Sequence, residues 1–91
     1  MRRLSSIYRN SKPGEFLPGL TLPPEIHGLL RKRLTEIAVS DTSANCLIAK
    51  ARAESLVEAM EVLKAIPAQA VERLYLLIEE SGSQRLSELS G

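Results

Sequence analysis

Apolar positions keep different rhythms in different parts of the chain, and the changes of rhythm predict its elements. Over residues 1–22 they hold no sustained period and are broken by Pro13, Gly14, Pro18 and Gly19, which predicts an extended arm, with residues 20–22 able to form a short strand. Pro23-Pro24-Glu25 then opens a helix. Pro24 suits the first helical position, where no amide hydrogen is needed, and Glu25 suits the positive helix end. Over 24–39, Ile26, Leu29, Leu30, Leu34 and Ile37 fall on one stripe at ~100° per residue. Arg33 lies inside that stripe, its stem laid along the core or its head aimed at an acidic partner. Arg31 and Lys32 point away from it.

Ser40-Asp41-Thr42-Ser43 is a polar break in which Asp41, Thr42 or Ser43 can cap a second helix over 44–66. Cys46, Ala49, Ala53, Leu56, Met60 and Leu63 recur there at alternating spacings of three and four, the rhythm of a helix-pairing seam. A second stripe of Ile48, Ala51, Ala59, Val62 and Ile66 leaves only a narrow charged ridge of Lys50, Glu54, Glu58 and Glu61. Such a helix is expected to be central and buried between neighbours. Pro67 either kinks it or turns the chain into a third helix over 68–80, where Val71, Leu74, Tyr75, Leu77 and Ile78 share a stripe and Leu76 lies opposite. Gly82 is a natural stop, with Ser83 capping a last short turn that carries Leu86 and Leu89 before a frayed Ser- and Gly-containing tail.

Composition narrows the fold further. The 91 residues are 44% hydrophobic and 25% charged, ordinary globular usage, but only 3% aromatic, so Leu, Ile, Val, Ala and Met must build the core. The expected class is therefore all-α: a small three-helix bundle or helical hairpin, with 1–22 as a basic arm and 23–91 as one helical domain. A core of this size is marginal and Cys46 has no partner for a disulfide, so a homodimer or another protein partner is expected to add burial. Cys46 and Leu76 with their seam neighbours are the candidate contacts. No apolar run approaches the ~20 residues of a membrane span, and a lone thiol suits the cytoplasm.

Charge is unevenly placed. Residues 1–33 carry a net +5 and residues 34–91 a net −4. The basic end supplies candidate phosphate contacts in Arg2, Arg3, Arg9, Lys12, Arg31 and Lys32. Catalysis finds little support. His27 and Cys46 are the only His and Cys and sit on different helices, too few for a metal site, and Cys46 on the seam reads as a small buried hydrophobe. Glu54 with Glu58, and Glu79 with Glu80, read as solvated faces. There is no glycine-rich phosphate loop, so no nucleotide, cofactor or small-molecule substrate is expected.

One constellation carries a family likeness. Leu20-Thr21-Leu22-Pro23-Pro24-Glu25-Ile26, then Leu29-Leu30 with Arg31-Lys32, then Thr42 through Ala51, resembles the ribbon-helix-helix DNA-binding family over residues 18–57. The resemblance implies a strand that pairs with a second chain's strand and enters the major groove, with Thr21 as the polar side chain facing bases. Two functions follow as expectations: a non-catalytic regulatory module acting through helical protein contact as a homodimer, and a DNA-binding transcriptional regulator that uses the basic arm.

Overall fold

The computed structural model describes residues 13–91. Two short strands, β1 (Glu15–Leu17) and β2 (Leu20–Thr21), precede three helices, α1 (Pro24–Ala38), α2 (Ser43–Val62) and α3 (Ala68–Ser90). The all-α reading with one short strand segment thus describes the architecture, but part of the expected arm is structured. Residues 15–21 form an antiparallel hairpin around Pro18-Gly19, with Gly19 at φ 78°, a conformation glycine adopts without a Cβ penalty. Glu15 pairs with Thr21 and Leu17 with Leu20, so Phe16 is the extra residue of a bulge. The bulge explains why two consecutive side chains, Phe16 and Leu17, both face inward, while Leu20 and Leu22 are buried around an exposed Thr21. Residues 1–12, with Arg2, Arg3, Arg9 and Lys12, lie outside the described residues.

The hairpin docks on α1. The Phe16 ring meets His27 edge-on at 5.1 Å between centroids, and the Arg31 guanidinium covers it at 5.1 Å from the ring centre. Arg31, expected to point into water, therefore also lids the hairpin. Pro24 begins α1 and Glu25 lies in its first turn, as the sequence predicts; Leu30 and Ile37 are fully buried, Ile26 and Leu34 partly so, and Leu29 stays open.

Thr42 is the cap of α2, its hydroxyl accepting from Asn45 N–H at 3.0 Å. The helix buries Cys46, Ala49, Ala53, Val57 and Met60, packing against α1 on one side and α3 on the other, and α1 also touches α3. It ends at Val62, four residues short of the expected boundary, in a Schellman turn: Lys64 N–H donates to Glu61 O at 3.0 Å and Ala65 N–H to Met60 O at 2.8 Å. Lys64 takes φ 55° to make it. Pro67 therefore separates two helices instead of kinking one, and Ile66, expected on the second stripe, is buried in the connection.

The expected stop at Gly82 does not occur, because tertiary contact outweighs the helix penalty of glycine there. α3 runs unbroken to Ser90, with Gly82 buried against α2: an added Cβ would stand 3.0 Å from Lys50 Cδ, and Cys46 Sγ lies 3.8 Å from Gly82 O. Lys50 Nζ reaches Glu79 at 2.7 Å across the same crossing, which raises the lysine's proton affinity. Leu86 and Leu89 extend the apolar stripe beyond the glycine.

Arg85 closes the other corner. Its Nε donates to Ser40 O at 2.8 Å and its terminal nitrogen to Glu88 at 3.0 Å, while the buried Ser40 hydroxyl donates back to Ile37 O. Arg85 and Gln84 hold the Glu88 carboxyl below its ordinary range.

A left-handed lysine costs about 1–2 kcal/mol relative to glycine in the folded backbone, and a glycine costs about 0.4–1 kcal/mol in unfolded-chain entropy. Lys64→Gly is therefore expected to stabilise the chain by about 0.5–1 kcal/mol, read as a Tm several degrees higher with an unchanged circular dichroism spectrum.

Candidate functional site

The described structure divides the expected contact residues into two groups. Cys46, Ala49, Ala53 and Met60 are buried in the chain's own core, so the seam of α2 pairs with α1 and α3 of the same chain and is not a surface for a second one. Two other helices of the same chain, α1 and α3, already fill that seam, which is the physical reason for the correction. Leu56 is half-buried beside it. Leu63 is 76% exposed and Leu76 59%. Leu76 stands among Glu72, Arg73, Glu79 and Glu80, its neighbours at helical spacing on α3, and a solitary exposed leucine is ordinary.

The opposite face of α2 is different. Leu47 is 52% exposed, Ile48 59% and Val62 72%, and together with Ala51, Ser55, Ala59 and Leu63 they make a face two helical turns above and below Ser55. This is the second stripe of the sequence, expected between neighbours; no element among the described residues covers it. Two open grooves run along it. The first, about 520 Å³, lies where α1 meets α2, with Leu29, Ile48, Ala51 and Leu56 as its floor and Arg33 and Arg52 at its rim. The second, about 420 Å³, continues past Ser55 to Glu58, Ala59, Val62 and Leu63.

The rims carry opposite charge. On the α1 side Arg33 donates to Glu36 at 3.0 Å, and Arg52 lies 3.7 Å from the other oxygen of that carboxylate, Oε1, which is buried and has no hydrogen bond. Arg33, placed by the sequence inside the apolar stripe, is thus held by an acid of its own helix. On the α3 side Glu54, Glu58 and Glu61 gather near Tyr75, and burial together with those three carboxylates pushes the phenol up from its ordinary value.

A third cleft, about 330 Å³ between α1 and α3, is lined by Arg31, Thr35, Ser81 and Arg85 among others. Its polar groups serve the fold: Thr35 bonds Arg31 O, and Arg85 and Gln84 bond Glu88. Among the described residues no group of His, Cys, Asp or Glu could hold a metal ion, and no helix is long and apolar enough to cross a membrane.

Of the residues expected to meet nucleic acid, Thr21, Arg31 and Lys32 are exposed, the first on β2 and the others on α1. β2 is paired with β1 of its own chain. Comparison with family models, curated proteins and solved structures finds no match for this chain. Its class rests on its own architecture, a three-helix bundle with an N-terminal hairpin.

Sequence reasoning missed Leu29, Leu47, Arg52 and Ser55 as parts of a surface. The signal was present in the stripe of Ile48, Ala51, Ala59 and Val62, but a helix with two apolar stripes does not say which of them its own chain will cover.

Burial of Cys46 gives a direct check. Its thiol is expected to react with Ellman's reagent slower than in denaturant by a factor on the order of 10³ or more, the inverse of the unfolded fraction. Fast native reaction would show the seam open.

Proposed function

We propose that this chain is a small non-catalytic regulatory module that works by holding another protein against the exposed face of α2, in a reducing compartment such as the cytoplasm. One observation carries the reading: Ile48, Val62 and Leu63, all more than half exposed, line two open grooves of α2 that share Ser55, with Arg52 in the lining of the first and Glu58 in that of the second. Apolar surface gathered in one patch with a polar rim is the usual form of a contact site, whereas scattered apolar residues are not.

Exposed positions tolerate substitution within about 0.5 kcal/mol, so Ile48→Glu with Val62→Glu is expected to melt like the parent chain. Quantitative affinity capture with both forms checks the reading: partners held by the parent and lost by the double variant are expected. Identical recoveries from the two, of further copies of this chain as well as of other proteins, would sink it.

A second reading makes DNA the partner. It is favoured by the exposure of Thr21, Arg31 and Lys32 on the hairpin and α1, added to the four cations of residues 1–12. Fluorescence anisotropy of a mixed-sequence duplex is then expected to show binding that weakens steeply with salt and falls further when Arg2, Arg3, Arg9 and Lys12 are changed to Ala. A flat signal at low salt removes this reading.

A further inference from the structure

Resting on the reading of the α2 face as a protein-contact site, we infer that its occupant is a second copy of this chain, with the two α2 helices parallel and in register about Ser55. The face is complementary to itself in one orientation only. At ~100° per residue, Arg52 lies about 60° to one side of Ser55, while Glu58 and Glu54 lie about 60° and 100° to the other. The first flank is the α1 side, where Arg33 and Arg52 outnumber Glu36. The second is the α3 side, where Glu54, Glu58 and Glu61 cluster near Tyr75 and Lys50 is bound to Glu79.

Two-fold symmetry then decides the direction. An axis parallel to the helices brings the right flank of one copy against the left flank of the other, so each basic rim meets an acidic one. An axis perpendicular to them brings like flank to like flank, basic to basic and acid to acid, which repels. The parallel arrangement places Arg52 opposite Glu54 of the second copy, two residues along the axis, with Glu58 just under two turns away, twice over. It stacks Ile48 on Ile48, Ser55 on Ser55 and Val62 on Val62, with Ala51 and Ala59 letting the axes approach. Leu63, left open in the single chain, closes over the same seam. Arg52 is also a suitable donor because its bond within the chain is weak: it sits at ion-pair distance from Glu36 without a hydrogen bond.

Sedimentation of the full chain and of single-cysteine additions tests this. Cys46 is buried and supplies a silent background. The expected result is a concentration-dependent dimer in which Ile48→Cys, Ser55→Cys and Val62→Cys each form a disulfide with their own kind on mild oxidation. Val62→Glu is expected to weaken the dimer about a hundredfold and Arg52→Glu about tenfold, while Leu76→Glu, also more than half exposed but on α3, leaves it unchanged and guards against a general effect of added charge. Cross-linking of Ile48→Cys only with Val62→Cys would mean an antiparallel pair and overturn the inference, although the face would still be a contact site. A monomer at all soluble concentrations, or a dimer indifferent to Val62→Glu, would overturn it as well. The capture comparison with Ile48→Glu and Val62→Glu then separates a face that binds a different protein from one that binds none.

Discussion

The close crossing of α2 and α3 at Cys46, Lys50 and Gly82 is the constraint on which the rest of the structure depends. A Cβ at position 82 would press on the lysine stem, and Cys46 is small enough to lie against the carbonyl of Gly82. Helices that approach this closely bury Ala49 and Ala53 without leaving voids, because dispersion contacts fall off steeply with any gap. With only three aromatic residues in the whole chain, large rings could not have filled a wider spacing. Arg85 fastens the far end, tying α3 to the carbonyl of Ser40 where α1 runs out. The position of α1 is thereby set by its neighbours on both sides.

That closeness also explains the exposed face. A helix that commits its narrowest side to the core turns its other apolar side outward, and here the outward side holds Ile48 and Val62 in place of the usual charges. The charges stand instead at the two edges, Arg33 and Arg52 toward α1, Glu54, Glu58 and Glu61 toward α3. Their separation follows from packing: each rim borders a different neighbour. Polarity across the face is a by-product of where the core lies.

Much of this was legible from periodicity and capping chemistry. Pro24 and Thr42 mark helix starts because their roles are local, and the stripe of Leu30, Leu34 and Ile37 reads directly as an inner face. Local rules failed where distant residues decide. Gly82 reads as a stop until Cys46 and Lys50 are placed opposite it, and Lys64 carries no mark of a left-handed turn. The hairpin was partly hidden because a bulge at Phe16 breaks the alternation by which a strand is recognised. The surface was the least legible part: α2 has two seams of equal quality, and only the third dimension chooses between them.

The connections between the helices have a kinetic consequence. Residues 39–42 and 63–67 are all that separate α1 from α2 and α2 from α3, so each helix docks on the one made just before it. Chain closure over such short loops takes well under a microsecond, and helical domains with contacts this local fold on the scale of microseconds to milliseconds. The hairpin is the exception in kind, a two-stranded ribbon too small to persist alone, which must wait for α1 to present His27 and Arg31. Assembly of the hairpin therefore runs against the order of the chain, with residues 15–21 settling last, onto a helix that synthesis delivers after them.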